Sequence, residues 1–400
     1  MADDFSTADW AQINAHLDGD PQSYGMPEHR DGSLVMMSWN IRKFGELRDR
    51  DGPKKTAGAF DMIVRVCAQA DLIAIQEVMV NTESLYHLRD RLNALGDTWE
   101  VFYSDVTGEA PGTRGSPERM GYVYRTSKVT LGRMASDLSF DRTAVVGGTQ
   151  DALHSVVTKT REKEGEEGMW AMIRSWVSGQ QKLVGSKLKG FVQFIRTPHV
   201  AEFIVQGSDG SAYELYCVNA HLVSGKSKTE RELEFLALLE WLMKDSDRTV
   251  VRGGKTYVLL ADLNLDFASN LDKRRVAFEE HIKSINGAKK LTAQVNFPFL
   301  DGGFFTNSRK TQTYDHIAWV SDDDRLPQGH HNELAKTLGP DGFDYGMFDS
   351  VQLFTDAGPG AGTNGPDYAR YEHDFSDHMP IWVRLPLPSA TQHRFTTPPS

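Results

Sequence analysis

Cysteine is the scarcest chemistry in the sequence: two residues, Cys67 and Cys217, in a chain of 400. That excludes a disulfide-stapled scaffold and a cysteine-built zinc site. Each lies in an apolar run, so two buried free thiols are expected rather than a bridge. Also lacking is an apolar segment long enough to span a bilayer. The opening Met-Ala-Asp-Asp-Phe has no basic stretch leading into an apolar one, so no signal peptide is expected. The expectation is a cytoplasmic monomer that does not work at a membrane. Positive charge is in deficit as well: 44 Lys and Arg against 55 Asp and Glu leave a net charge of −11. This argues against a broad electrostatic grip on nucleic acid, although a bound cation and a few arginines can reverse the field at one cleft. No internal repeat is present.

What is there is an ordinary globular composition, 40% hydrophobic and 25% charged, sufficient for a sizeable core. Residues 1–32 read as an N-terminal extension. Within it Thr7–Leu17 is predicted as a short amphipathic helix, broken by Gly19-Asp20-Pro21. Between residues 33 and 385, short apolar runs alternate with helical periodicity. Strands are predicted at 34–39, 71–76, 101–104, 121–125, 203–205, 213–219, 257–261, 317–320 and 380–385. Helices are predicted at 56–69, 85–95 and 229–244, the last with Leu233, Leu236, Leu239 and Leu242 at helical spacing. Such interleaving predicts a layered α/β domain. Two stretches break the rhythm as insertions: 140–190, charged and helical in character, and 321–370, rich in Gly, Asp and Pro and read as surface loops. Residues 386–400 have the composition of a disordered tail.

The chemistry gathers at strand ends, where α/β proteins place their sites. Asn40 follows LVMMSW, Glu77 follows DLIAIQ, and His221 follows YCVNA. Asp262 and Asn264 come after YVLLA, Asp315 and His316 precede IAWV, and Asp377 and His378 precede MPIWV. Taken singly each has an ordinary explanation: a turn cap, the start of a loop, a satisfied core histidine. Together they form a coherent set. Glu77, Asp262, Asp377, Asn40 and Asn264 are hard oxygen donors suited to Mg²⁺ or Mn²⁺ rather than zinc. Mg²⁺ takes only one or two carboxylates directly, so not every oxygen is a ligand. His221 and His378 are the acid–base candidates, and Glu118 and Asp315 are available to orient them.

These residues lie in blocks that resemble the endonuclease/exonuclease/phosphatase superfamily, and within it the pancreatic-type deoxyribonucleases. The blocks are WNIRKFGE at 39–46, DLIAIQEV at 71–78, ERMGYVYR at 118–125 and IRTPHVAEF at 195–203. NAHL at 219–222, ADLNLD at 261–266, TYDHI at 313–317 and SDHMPIW at 376–382 complete the series in the family's order. The resemblance implies a four-layer α/β sandwich, two mixed sheets flanked by helices, with a cleft at one edge. It implies Glu77 as principal metal ligand, with Asn40, Asp262, Asn264 and Asp377 around the metal and the phosphate. The metal implied is Mg²⁺, with Mn²⁺ or Ca²⁺ as alternatives. His378, oriented by Asp315, would activate water; His221, paired with Glu118, would protonate the leaving oxygen or stabilise the phosphorane. Arg42 and Arg196 match arginines that grip backbone phosphates, and Tyr314 matches a substrate-contacting tyrosine.

The implied activity is metal-dependent endonucleolytic hydrolysis of a nucleic acid, DNA favoured. Some positions depart from the family pattern. Ser116 stands where those deoxyribonucleases place a groove-inserting tyrosine, Met79 where they have an arginine, and Ser269 near a further tyrosine. Ala261 replaces the Gly of the usual GDxN. The cleavage set is kept while much of the groove-reading set is replaced. The alternative reading is a phosphatase or phospholipase-like esterase on the same scaffold. Its inositol branch carries Trp-Cys-Asp-Arg where this chain has Thr-Tyr-Asp-His at 313–316, and no exposed apolar hairpin of a lipid-acting branch is evident. A catalytically dead scaffold protein is disfavoured by the complete set of polar residues.

Overall fold

The apolar runs assemble into two six-stranded sheets in the computed structural model. The structure describes residues 4–45, 55–108, 117–138, 194–224, 228–246, 256–265, 279–280, 282–283, 287, 294–301, 304–321, 323, 325–326, 344–363 and 365–389. In chain order the strands begin with β1 (Ser33–Phe44), β2 (Leu72–Met79), β3 (Trp99–Tyr103), β4 (Glu118–Arg125) and β5 (Val129–Asp137). They continue with β6 (His199–Gln206), β7 (Ala212–His221), β8 (Thr256–Asp262), β9 (Gln294–Asn296) and β10 (Asp315–Ser321). The last are β11 (Asp344–Met347), a small hairpin of β12 (Ala361–Gly362) and β13 (Gly365–Pro366), and β14 (Ile381–Pro386). The helices are α1 (Thr7–Gly19), α2 (Ala57–Cys67), α3 (Glu83–Asn93), α4 (Lys228–Ser246), α5 (Ser350–Asp356) and α6 (Tyr368–Asp374).

One sheet runs β11-β14-β1-β2-β4-β3 and the other β5-β6-β7-β8-β10-β9. Each is built around one parallel pair, β1/β2 and β7/β8, with antiparallel neighbours outside it. The sheets pack face to face through these central strands, with α3 against β3 and β4 and α4 against β8 and β10. The result is the expected four-layer α/β sandwich. Strands covered on both faces lose the alternation of a half-exposed strand, and β8 is buried along its whole length, as is β1 from Ser33 to Ile41.

Polar residues cross the dry interface between sheets in a few satisfied places. Gln76 Nε2 donates to Asn219 Oδ1 at 2.8 Å, and Asn219 Nδ2 donates to the carbonyls of Ile75 at 3.1 Å and Gly121 at 2.8 Å. This fixes the register of the sheets against each other just below the site, because a buried amide left unpaired is costly. Cys67 and Cys217 are buried free thiols, as expected, and burial pushes both thiols up.

The extension at 1–32 forms α1 where a helix is predicted, its Ser6 cap and Asp9 bonding reciprocally as a capping box. Trp10, Ile13 and Leu17 are buried, and the Phe5, Trp10 and Phe354 rings pack edge-on. The stretch at 321–370, read as surface loops, instead contains β11, α5, the β12–β13 hairpin and the first three residues of α6. Two turns of helix are too short to print a period among so many Gly, Asp and Pro. Their aspartate caps, Asp349 and Asp367, are the readable trace. Strand β5 also escapes the pattern, since it is an edge strand exposed along most of its length. By compactness the chain divides into residues 1–137 with 195–400, and residues 138–194. The predicted insertion at 140–190 lies outside the described residues, as do Ser116 and Ser269. Of the predicted tail at 386–400, Pro386 ends β14 and the Leu387 N–H donates to the Gly32 carbonyl at 2.7 Å, while 390–400 lies outside the described residues. Among the described residues no helix is long and apolar enough to cross a membrane.

Candidate active site

The shared plan of the two sheets brings the polar strand ends together. Asn40, Glu77, His221 and Asp262 lie at or near the carboxyl ends of β1, β2, β7 and β8, the two parallel pairs. Glu118 and Asp315 open the antiparallel neighbours β4 and β10, while Asp377 and His378 precede β14. In register, Asp262 stands opposite both His221 and Asp315. Asn40 Nδ2 donates across the sandwich to Asp262 Oδ2 at 3.1 Å and, within its own sheet, to Glu77 Oε1 at 3.3 Å.

The backbone departs from regular pairing where the site needs it. Pairing of β1 with β2 slips between Asn40 and Phe44, and pairing of β2 with β4 slips between Ile75 and Val78. Such bulges re-aim side chains at a sheet's rim. Glu77, Lys43 and Asn264 have φ of 57°, 52° and 50°, a left-handed conformation costing non-glycine residues about 1–3 kcal/mol each. Local bonds hold it. Lys43 N–H donates to Glu77 Oε2 at 3.0 Å, Asn264 N–H to Asp262 Oδ1 at 2.9 Å, and Asn264 Nδ2 to the Leu222 carbonyl at 3.0 Å.

Two histidine–carboxylate pairs face each other over Asp262, each joining one sheet to the other. His221 Nδ1 lies 2.7 Å from Glu118 Oε1, and His378 Nδ1 lies 2.8 Å from Asp315 Oδ2. These bonds put the proton on Nδ1 and leave both Nε2 atoms facing Asp262 Oδ2, at 3.5 and 3.6 Å. All five groups are buried. Burial alone would push the imidazoles down, but facing carboxylates outweigh it. Asp315 and Asp262 hold His378 well above the ordinary histidine value, and Glu118 and Asp262 raise His221. Burial would push Asp262 up; instead His378 and His221 hold it below the usual carboxylate range. Burial likewise opposes ionisation of Glu77, yet His221, the Lys43 amide and Asn40 hold it low.

Asp262, Asp315 and His378 are near enough to one another to suggest an ion among them. The 2.8 Å contact between His378 Nδ1 and Asp315 Oδ2 has the length of a hydrogen bond. An ion between those atoms would displace the shared proton, so this trio reads as a proton-handling unit. Metal donors are better sought at Asn40 and Asp377, whose Oδ1 atoms are buried without a hydrogen-bond partner, beside Glu77. Hard oxygens left unsatisfied in this way fit a small divalent cation.

The remaining predicted residues take distinct places. Arg42 is part-exposed, donating from Nη1 to the Glu372 carbonyl at 2.7 Å with Nε 4.0 Å from Asp377 Oδ2. Arg196 is buried, its Nε donating to Glu118 Oε2 at 3.0 Å and its Nη1 to the Leu222 carbonyl at 3.2 Å. It therefore shares the carboxylate that orients His221. The Tyr314 ring centre is 6.1 Å from that of His378.

Several supporting residues were not singled out from sequence. Thr306 Oγ1 takes the backbone N–H groups of Tyr314 and Asp315. Ser376 Oγ donates to the Asn40 carbonyl at 2.8 Å and accepts the His378 N–H at 3.2 Å. Glu234, a buried carboxylate on α4, accepts the amides of Ile195 and Val223, pinning the segments that carry Arg196 and follow His221. Its signal was legible: an acid among the apolar positions of a helix.

No family model matches the chain. A protein named Deoxyribonuclease from Thioalkalivibrio sp. (strain K90mix) is 40% identical over 105 residues, 26% of this chain and 26% of that protein. The match thus spans about a quarter of that relative's length. Similar solved structures include the human Nocturnin catalytic domain with bound sulfate anion, 13% identical, TM-score 0.44, covering 89% of this chain and 94% of that one. Another is an endonuclease/exonuclease/phosphatase from Beutenbergia cavernae DSM 12333, 12% identical, TM-score 0.45, covering 90% of this chain and 73% of that one.

Proposed function

We propose that the chain is a divalent-metal-dependent nuclease that hydrolyses phosphodiester bonds, with DNA the favoured substrate. The observation that carries this reading is the meeting of two histidine–carboxylate pairs at one buried carboxylate, each Nε2 within 3.6 Å of Asp262 Oδ2. Hydrolysis of a phosphodiester needs a proton acceptor on the water side and a proton donor on the leaving-group side. His378, its Nδ1–H held by Asp315, accepts the water proton at Nε2. His221, held by Glu118, donates from Nε2 to the leaving oxygen or stabilises the phosphorane. The facing carboxylates of Asp315 and Asp262 raise the proton affinity of His378. Cancelling part of that negative charge lowers its proton affinity, which is what a proton acceptor requires.

Glu77 is the proposed principal ligand, with Asn40, Asp262, Asn264 and Asp377 around the metal and phosphate; Mg²⁺ is the ion, Mn²⁺ or Ca²⁺ the substitutes. When bound, such an ion polarises the phosphoryl oxygens and offsets the charge that develops on them. Arg42 and Tyr314 are assigned to the substrate side; Arg196, expected there from the sequence, is turned inward onto Glu118 and the Leu222 carbonyl and is assigned instead to holding the carboxylate that orients His221. Support for DNA comes from the name of the Thioalkalivibrio relative, and support for phosphodiester cleavage from the order of the sequence blocks above.

The test is to incubate the protein with supercoiled plasmid, single-stranded DNA, RNA and phosphoinositides, each with Mg²⁺ or EDTA. Nicking that EDTA abolishes is expected. Release of inorganic phosphate from phosphoinositides without any nicking would overturn the reading in favour of a phosphatase.

A further inference from the structure

Asp374 ends α6, three residues before Asp377, and its side chain is fully buried. It accepts hydrogen bonds from two segments remote in sequence: Phe5 N–H at 3.0 Å on Oδ2, Thr56 N–H at 3.1 Å on Oδ1, and Thr56 Oγ1 at 3.1 Å on Oδ2. Thr56 Oγ1 in turn accepts Trp10 Nε1–H at 3.1 Å and the Ala59 amide at 3.2 Å. That hydroxyl then has its one donor and both acceptor positions in use. Outside this knot Arg370 donates to Asp9 Oδ2 at 2.6 Å and to the Asp4 carbonyl at 2.9 Å, with its guanidinium 4.2 Å above the Phe5 ring.

From the knot two routes lead to the proposed catalytic loop. Rings pass from Trp10 to Phe375 at 6.2 Å and on to Trp39 at 5.4 Å, whose Nε1 donates to the His378 carbonyl at 3.1 Å. Along the chain, Lys55 donates to the Phe375 carbonyl, and Ser376 Oγ holds both the Asn40 carbonyl and the His378 amide. A buried carboxylate is costly, and apolar residues would serve adhesion alone better. What directional bonds add is placement.

We propose that Asp374 is a positioning residue for hydrolysis, and that residues 4–10 brace the His378 loop through it. The N-terminal extension is then a working part of the site. Its rate readout rests on the nuclease reading above; its placement readout does not. In the full-length chain, Thr56→Val keeps the shape and removes the hydroxyl, Thr56→Ser restores it, and Asp374→Asn sets an amide against the donors. A misplacement of about 1 Å can cost roughly 10²-fold in rate. Thr56→Val and Asp374→Asn should therefore lower kcat by about ten-fold or more on a metal-loaded oligonucleotide, with KM within about two-fold. Thr56→Ser should return it. The control is Asp18→Asn, which removes the negative charge from the 2.5 Å ion pair with Arg65 at the far end of α1 and should leave kcat unchanged. Amide exchange across 376–378 should quicken in Thr56→Val and not in Asp18→Asn. Wild-type kcat and exchange in Thr56→Val would overturn the proposal. So would equal losses of rate in Asp18→Asn at the same fall in melting temperature. A wild-type protein that cleaves no phosphodiester would defeat the nuclease reading alone, and the exchange result would still decide the brace.

Discussion

His316 makes the fold sensitive to acid in a way that can be worked out from its surroundings. It is fully buried between Asp315 and Ile317 on β10, with the Phe297 ring 4.9 Å away. Burial pushes its pKa down to about 3, against a smaller upward pull from the Thr313 backbone and the Asp262 charge. In the unfolded chain an ordinary histidine titrates near 6.5. Between those values the unfolded state binds the proton and the folded state refuses it, so stability rises with pH across this window. Nothing is lost above about pH 7.5. At pH 5 the linkage amounts to about 2 kcal/mol, a large share of the margin of a typical domain. The perturbation is His316→Phe, similar in shape and unable to titrate. Loss of the ring's polar contact costs stability at every pH, so only the change with pH is read. Urea unfolding at pH 7.5 and 5.0 should show the wild type losing about 2 kcal/mol more than the variant between the two. Equal losses would mean that His316 takes up a proton in the folded state, and that its burial does not exclude charge.

Other expectations follow from the site and the core. His378→Ala should lower kcat by about 10²–10⁴-fold, the usual worth of a proton-transfer group, in single-turnover plasmid nicking; near-wild-type rates would remove it from the water side. Arg196→Lys should lower kcat with the salt dependence of binding unchanged, because its Nε and Nη1 serve Glu118 and Leu222. A flattened salt slope would instead make it a phosphate contact. Asn219→Leu should destabilise the fold without touching the chemistry. It removes the side-chain donor to the Ile75 and Gly121 carbonyls at about 1–3 kcal/mol for each group left unsatisfied, while Gln76 Nε2 keeps Ser38 Oγ and the Leu260 carbonyl. A loss below about 1 kcal/mol in urea unfolding would show that the sheets realign or admit water.

Much of the architecture was legible because burial on both faces writes itself as continuous apolar runs. LVMMSW, DLIAI and YVLLA are strands β1, β2 and β8, and the polar residue after each run is at the rim. Short elements were not legible. Helices α5 and α6 are 7 residues each, below the length at which a period of 3.6 separates from chance. Their stability comes from Phe354 and Tyr371 buried in the core rather than from local propensity.

The sequence by itself determined which residue types stand at which strand ends, and so the kind of chemistry open to them: hard oxygens and two histidines. That information is local, carried by the apolar run that ends and the polar residue that follows. The tertiary structure decided the partnerships. His221 and Glu118 are 103 residues apart and His378 and Asp315 are 63 apart, and only stacking one sheet on the other brings each pair to hydrogen-bond distance. It also decided that Arg196 is turned inward onto Glu118, and that the N-terminal extension is tied through Asp374 to the His378 loop. Directions of side chains and the company of a buried charge follow from packing, which a linear pattern does not encode.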